Sequence, residues 1–276
     1  MKKLIAVCLA VGFFCTGYVM AGTWQTIDMP GAGYTEALGI EGSNIVGLAG
    51  IHGFRYNGGS WATFDMSGAV YTVAQGISGS NIAGWYYDGS SYHGFLYNGS
   101  TWLPLDKSGA SWTEAYGIDG SNIVGVADNQ GFIYNITTQS WTNLPINANG
   151  IDGSNIVGGN QLYNMTTQSW TTLDMPGAKW TTAYGIDGSN IVGDYWDGSS
   201  YHGFLYNGVS WTTLDMPGVS GKDPYGTYAR GIDGSDIVGY YYDGSHYKSF
   251  IYTIPEPGTM SLLALGGLAM LRRRRA

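Results

Sequence analysis

The chain has 276 residues and a formal net charge of −8, with 12 Lys and Arg against 20 Asp and Glu. It is rich in Gly (45), Tyr (22) and Trp (10), a composition that favours short strands and tight turns over helices. Residues 22–254 hold 6 Lys and Arg against 19 Asp and Glu, a formal charge of −13. Such an acidic surface argues against nucleic acid as a partner, because phosphate recognition needs clustered positive charge.

The N-terminus has the three parts of a secretory signal. Residues 2–3 are lysines, residues 4–14 form an apolar stretch, and Val19 and Ala21 place small side chains before a cut. We therefore predict a helical signal peptide at residues 1–21, with cleavage after Ala21. An uncleaved membrane anchor is the alternative, although the apolar stretch is short for a membrane span.

Both cysteines of the chain, Cys8 and Cys15, fall within the predicted signal peptide. Neither follows the small residue expected before a lipidated cysteine. The exported protein is therefore expected to lack disulfides and thiolate chemistry, so that packing and strand pairing must stabilise it.

The C-terminus has three parts in a fixed order. An apolar stretch at residues 260–271 follows a short proline-containing motif and precedes a basic cluster. The motif is Pro255, Glu256 and Pro257, and the cluster is Arg272, Arg273, Arg274 and Arg275. A short apolar helix with positive charge behind it forms a weak membrane stop that leaves the preceding domain outside the cytoplasm.

This tail, residues 255–276, resembles the PEP-CTERM sorting domain of Gram-negative bacteria. The resemblance implies recognition by a membrane enzyme of the exosortase type, export across the inner membrane, and an exopolysaccharide-producing context. The apolar part of 13 residues (259–271) is shorter than the roughly 20 that span a bilayer, which suits transient insertion.

The central segment, residues 22–254, repeats one unit six times. Six tryptophans, 29 to 41 residues apart, open the copies: Trp24, Trp61, Trp102, Trp141, Trp170 and Trp211. Each copy holds four strand-sized pieces separated by Asp-Gly or Asn-Gly turns, which suit two-residue hairpins. Four antiparallel strands repeated six times predict an all-β, six-bladed β-propeller.

An open stack of hairpins is the alternative to a closed ring. The fourth copy, from Trp141 to Tyr163, is short enough to form a defective blade. The first copy starts and the last ends in the same phase, so the sequence predicts no strand exchange between the ends and closure by packing alone.

A glycine precedes an isoleucine at an equivalent point of each copy, at Gly39, Gly76, Gly117, Gly150, Gly185 and Gly231. These glycines suit either inner strands crowded at an axis or simple turns. The recurring Gly-Ile-x-Gly-Ser-Asn-Ile-Val-Gly and His-Gly-Phe-Leu-Tyr strings resemble the bacterial HAF repeat, an extracellular repeat. That resemblance implies no particular activity.

The chemistry-bearing residues mostly repeat with the scaffold. His52, His93 and His202 occupy equivalent points of different copies, whereas a catalytic site needs unlike residues that converge. Asp-Gly-Ser turns could offer oxygens to Ca²⁺, but they lack the alternating acids of an EF-hand loop. With no catalytic motif found, we expect a non-enzymatic protein with no metal or cofactor.

Aromatic residues near the predicted hairpin ends are the candidate binding residues. Aromatic faces stack on sugar rings, so Trp85, Tyr86, Trp196, Tyr225 and Tyr241 are candidates for neutral-glycan binding. Packing between blades is the alternative role.

The sequence therefore favours an exported cell-surface or extracellular-matrix protein that acts by structural or binding contacts. Its expected partners are the export machinery, an exosortase-type enzyme and exopolysaccharide. A lectin-like propeller is the second hypothesis, and a polysaccharide hydrolase or lyase is the third.

Overall fold

The computed structural model describes residues 22–219 and 226–255. These two ranges contain 24 β-strands and no helix. The predicted signal helix, the short apolar helix of the tail, and Tyr225 lie outside the described residues.

The strands form six four-stranded antiparallel sheets, which are the blades of a propeller. Blade 1 holds β2 (Thr35–Glu41), β3 (Asn44–Ala49), β4 (His52–Tyr56) and β5 (Trp61–Phe64). Blade 2 holds β6 (Tyr71–Ser78), β7 (Asn81–Tyr87), β8 (Tyr92–Tyr97) and β9 (Trp102–Leu105). Blade 3 holds β10 (Thr113–Asp119), β11 (Asn122–Ala127), β12 (Gln130–Asn135) and β13 (Ser140–Asn143).

The second half of the ring follows the same pattern. Blade 4 holds β14 (Gly150–Asp152), β15 (Asn155–Gly158), β16 (Gln161–Asn164) and β17 (Ser169–Thr172). Blade 5 holds β18 (Trp180–Asp187), β19 (Asn190–Trp196), β20 (Tyr201–Tyr206) and β21 (Trp211–Leu214). Blade 6 holds β22 (Thr227–Asp233), β23 (Asp236–Tyr242), β24 (Tyr247–Thr253) and, from the start of the chain, β1 (Thr23–Ile27).

The ring closes by strand exchange, which corrects the expectation that closure rests on packing alone. Strand β1 pairs antiparallel with β24, so the first described strand completes the last blade. Trp24 on β1 lies with its ring centroid 5.0 Å from Phe250 and 4.7 Å from Tyr252. Each repeated tryptophan lies on or beside the outer strand of the blade that precedes its copy. Because all copies look alike, the sequence does not show that the first strand pairs in the last blade, so the expectation was wrong.

The inner strands of neighbouring blades contact one another around the whole ring, including β22 of blade 6 with β2 of blade 1. The six Gly-Ile glycines lie at this closest approach. An added Cβ at Gly39 would lie 2.6 Å from the carbonyl oxygen of Gln75, and one at Gly185 would lie 2.7 Å from that of Arg230. Crowding at the axis, and not turn geometry, therefore requires glycine here.

Apolar side chains fill the spaces between blades. Five blades bury a phenylalanine completely, at Phe54, Phe95, Phe132, Phe204 and Phe250. Blade 4 has the polar Gln161 at the corresponding position, and its strands are only three or four residues long. It is nevertheless a complete four-stranded blade, so the short fourth copy is reduced in size and not defective.

A ring of side-chain hydrogen bonds joins each blade to the next. The residue that ends an inner strand accepts from the backbone N–H of a turn glycine in the next blade. The six donor–acceptor pairs are Gly79–Glu41 at 2.5 Å, Gly120–Ser78 at 3.2 Å, Gly153–Asp119 at 2.8 Å, Gly188–Asp152 at 2.8 Å, Gly234–Asp187 at 2.7 Å and Gly42–Asp233 at 2.7 Å. The Asp-Gly turns thus bridge blades as well as reverse the chain.

Candidate functional site

A cavity of about 560 Å³ lies on the propeller axis, lined by the inner strands of all six blades. Its size falls within the range of about 300–1,000 Å³ that small-molecule sites occupy. The inner strands of all six blades meet here. Because the blades differ in sequence, side chains of different types converge in this cavity.

The residue before each Gly-Ile pair faces the cavity. Five residue types occupy these six positions, with tyrosine in both blade 3 and blade 5: Leu38, Gln75, Tyr116, Asn149, Tyr184 and Arg230. In five blades the strand register shifts at this residue, as between Ala37 and Gly39 in blade 1. Such β-bulges re-aim a side chain, and here they place the variable residue at the axis while the flanking residues continue the sheet.

Arg230 is the centre of a polar cluster in the cavity wall. Its Nη1 donates to Oδ2 of Asp194 at 2.6 Å, and its Nη2 donates to the hydroxyl of Tyr240 at 3.0 Å. The guanidinium carbon lies 3.8 Å from the centre of the Tyr184 ring. Both charged side chains are largely buried, with 12% of Arg230 and 6% of Asp194 exposed. Asp194 therefore neutralises Arg230 locally, and the tyrosine face adds cation–π attraction.

Two further carboxylates are partly buried, Glu36 in the cavity wall and Glu114 beside the cavity residue Tyr116. Burial raises the pKa of Glu114, although the Tyr116 hydroxyl donates a hydrogen bond to its carboxylate and opposes that rise. Burial also raises the pKa of Glu36, and the charge of Arg230 lowers it in part. Within the described part of the chain, no hydrogen-bond donor reaches the Glu36 side chain.

Blade 2 supplies an aromatic wall to the same cavity. Trp85 and Tyr71 meet edge to face with ring centroids 5.7 Å apart, and Trp85 contacts Tyr92 in the same way at 5.4 Å. Burial and a hydrogen bond with Tyr92 raise the pKa of Tyr71 to about 12, so this phenol stays neutral. The indole Nε1 of Trp85 is buried, and no acceptor among the described residues reaches it.

The predicted glycan-binding aromatics occupy three different environments. Trp85 lines the axial cavity, whereas Tyr86 stacks on His93 at 5.0 Å and packs with the core between blades. Tyr241 is buried in another inter-blade core, with its hydroxyl 3.2 Å from Thr26 Oγ1. Trp196 lies near the surface of blade 5. These four residues, which are the described members of the predicted set, do not come together in one site.

The repeated histidines each pair with an aspartate of the same blade. The pairs join Nδ1 to a carboxylate oxygen in His52–Asp65 at 2.7 Å, His93–Asp106 at 3.0 Å and His202–Asp215 at 3.0 Å. In blade 6, Lys248 takes the histidine position and lies 4.0 Å from Asp28. These pairs tie the third strand to the end of the fourth strand, which fits a role in the scaffold.

Residues 22–219 and 226–255 contain no group of three or more His, Cys, Asp or Glu side chains placed to hold a metal ion. The same ranges include no helix with the length and apolar character needed to cross a membrane. Of the sorting motif, only Pro255 is described, two residues after β24; Glu256, Pro257, the four terminal arginines and Ala21 lie outside.

Sequence reasoning missed the cavity residues Glu36 and Arg230 and the ion-pair partner of Arg230, Asp194. The signal that could have found Arg230 is variability: the position before Gly-Ile holds five residue types in the six copies, while Gly and Ile do not change. The other copies have no cation at the position of Arg230 and no acid at the position of Asp194.

Comparisons with known proteins support the sorting tail. Residues 253–275 match the family model of the PEP-CTERM protein-sorting motif. This motif implies export and processing by exosortase-type machinery. No curated protein matches the chain significantly, and the resemblance to HAF repeats gains no support.

Two solved structures are similar to the body of the chain at low identity. A chain of the mitotic checkpoint complex is 12% identical, with 93% of this chain and 89% of that chain covered and a TM-score of 0.45. YjhT is also 12% identical, with 78% and 74% covered and a TM-score of 0.30. The propeller assignment rests on strand topology, and the tail match shows a PEP-CTERM sorting motif at the end of this propeller chain.

Proposed function

We propose that this protein acts at the cell surface or in the extracellular matrix, by structural or binding contacts and without catalysis. The observation that carries the proposal is the position of the sorting motif. Its match begins at residue 253, where the last strand of the closed propeller ends, so a complete folded body directly precedes the tail. The acidic body with a ring of inter-blade hydrogen bonds suits a stable, disulfide-free surface domain.

Cell fractionation tests this proposal in a host that has an exosortase. The full chain is compared with a chain ending after Pro255 and with a variant in which all four terminal arginines are alanine. We expect the full chain at the surface or in the matrix and both variants displaced from it. An unchanged distribution, or full-length protein in the cytoplasm, contradicts the proposal. Turnover of polysaccharides by the purified protein contradicts its non-catalytic part.

A second candidate function is lectin-like binding of neutral glycans at the outer surface. Trp180 is 57% exposed and stacks on Trp196, with centroids 6.1 Å apart and planes 12° apart. Tyr201 lies 4.9 Å from Trp196 and extends this aromatic platform. Exposed aromatic faces of this kind suit stacking against sugar rings of an exopolysaccharide.

Exopolysaccharide retention on a column separates this candidate from a purely structural role. We expect Trp180→Ala to reduce retention, whereas Trp170→Ala, which removes a tryptophan 45% exposed in blade 4, leaves it unchanged. Equal retention of the wild type and of Trp180→Ala contradicts a glycan site on this platform.

A further inference from the structure

The axial cavity contains two polar groups whose hydrogen-bonding needs the described residues leave unmet. The Trp85 indole N–H is a buried donor without an acceptor. The Glu36 carboxylate lines the same cavity and receives no hydrogen bond from the described residues. An unsatisfied buried donor costs about 1–3 kcal/mol, so a native structure that keeps one calls for a partner.

The two groups constrain the chemistry of that partner. The indole N–H requires an acceptor, whereas the carboxylate requires a donor. An ammonium ion donates but cannot accept, and a phosphate or carboxylate ligand accepts but would meet the charge of Glu36. A hydroxyl group both donates and accepts. A molecule with several hydroxyls can therefore accept from the Trp85 N–H and donate to the Glu36 carboxylate.

The charge of the cavity disfavours an anionic occupant. Asp194 already pairs with the guanidinium of Arg230 at 2.6 Å, which leaves Glu36 in the cavity wall as a surplus acid. An anion would therefore enter an unfavourable field. Glu114 accepts a hydrogen bond from the Tyr116 hydroxyl, whereas the Glu36 carboxylate receives none from the described residues.

The walls of the cavity suit a ring with an apolar face. Tyr71 and Trp85 form an edge-to-face pair on one side, and the Gln75 side chain at the bulge position adds a group that both donates and accepts. Aromatic walls with a few convergent polar groups are the usual composition of a small-molecule site. A pyranose ring presents apolar C–H faces and equatorial hydroxyls in this arrangement.

We infer that the axial cavity binds a neutral saccharide unit, with the Trp85 indole N–H and the Glu36 carboxylate hydrogen-bonded to its hydroxyls. This site deepens the proposed binding function and rests on it. It is separate from the Trp180 platform, which is the exposed aromatic surface of Trp180, Trp196 and Tyr201, because it lies on the propeller axis. The cavity takes one sugar unit, whereas the platform contacts a polymer.

Isothermal titration of the purified mature protein tests the inference with glucose, galactose, mannose, N-acetylglucosamine and their β-linked disaccharides as probes. Ethanolamine and inorganic phosphate serve as cationic and anionic probes. We expect binding of at least one neutral sugar, weakened about tenfold by Trp85→Phe, which keeps the ring and removes the N–H donor. Glu36→Gln should weaken it by a similar or larger factor, because hydrogen bonds to charged acceptors are stronger.

Trp170→Phe is the matched control, since it changes an exposed tryptophan outside both the cavity and the Trp180 platform and should leave sugar affinity unaltered. Should Trp85→Phe not fold, Gln75→Ala probes the same cavity from the neighbouring inner strand. Preferential binding of ethanolamine or phosphate, no binding of any sugar by folded protein, or equal loss in the Trp170 control overturns the inference. A surface-located protein that binds no sugar refutes only this site, whereas a sugar-binding protein that stays in the cytoplasm refutes only the proposed export function.

Discussion

The carboxylate of Asp233 in the last blade accepts a hydrogen bond from the backbone N–H of Gly42 in the first blade at 2.7 Å. Five equivalent bridges join the other neighbouring blades, so this contact completes a ring. It spans the point where the two ends of the propeller meet, which makes closure dependent on a side chain as well as on strand pairing.

Asp233→Ala should lower the free energy of unfolding, because it leaves the Gly42 N–H without its protein acceptor. The contact is solvent-exposed, so we expect a loss of about 1 kcal/mol. Ser78→Ala is the matched control: it removes the one bridge made by a neutral acceptor, at 3.2 Å, and should cost less. Chemical denaturation measures both values. Equal stability of the wild type and Asp233→Ala would mean that the ring of bridges does not contribute to closure.

Trp24→Ala tests the strand exchange at the ends of the chain. Trp24 packs against Phe250 and Tyr252 across the β1–β24 pair, so its removal should destabilise the whole ring by about 2–3 kcal/mol. Trp170 occupies the same strand position in blade 4 and is 45% exposed. Among the described aromatic residues, it packs against Tyr163 only. Trp170→Ala should therefore cost distinctly less in thermal unfolding, and the reverse order would contradict the exchange.

Gly185→Ala tests crowding at the axis. The added methyl would lie 2.7 Å from the carbonyl oxygen of Arg230 and 2.9 Å from the Val192 side chain, so the inner strands of blades 5 and 6 must separate. We expect a loss of roughly 2 kcal/mol or more, in line with other overpacked cores. Gly33→Ala is the control, because nothing lies within 4 Å of its added Cβ. Equal melting temperatures for the two variants would rule out close packing of the inner strands.

Glu36→Gln should change the dependence of stability on pH. Burial raises the pKa of Glu36 above the ordinary value of 4.5, so its ionised form opposes folding at neutral pH. This cost begins to shrink as pH falls through the raised pKa, where the folded state takes up its proton while the unfolded chain is still ionised. It is gone below 4.5, where the unfolded chain is protonated as well. The glutamine variant should thus melt higher than the wild type near neutral pH, and the difference should shrink in acid.

Thermal unfolding from about pH 4 to about pH 8 measures that difference. The exposed Asp174→Asn is a suitable control, because it also removes one negative charge but lies outside the cavity. Arg230, which lines the same cavity, its ion-pair partner Asp194 and the nearby Glu114 are unchanged in both proteins, so they cancel in the comparison. A glutamine variant that is less stable at neutral pH would contradict the buried position of Glu36.

The number of blades and their strands followed from the sequence, because turn glycines and alternating apolar residues are local signals. At Gly188, for example, φ is 56°, a conformation that glycine adopts readily. The Asp-Gly dipeptide predicts such a turn. The partner of Trp24 could not be predicted in the same way. Its strand belongs to a blade whose other strands lie more than 200 residues away, and every copy presents the same local pattern.

The candidate site could be predicted only in part. Trp85 was selected as an aromatic residue of a strand end, but alternation along β7 sends Trp85 to the axis and Tyr86 to the space between blades. The bulge that aims Arg230 at the axis depends on pairing between β22 and β23, which the sequence does not display. The variable position before Gly-Ile was the available sign of the cavity.

The intact mass of the protein recovered from the cell-surface and cytoplasmic fractions tests the central claim most directly, namely that this propeller is an exported protein. We predict a chain that starts at Gly22, without residues 1–21. A soluble cytoplasmic chain that still carries residues 1–21 would contradict the account.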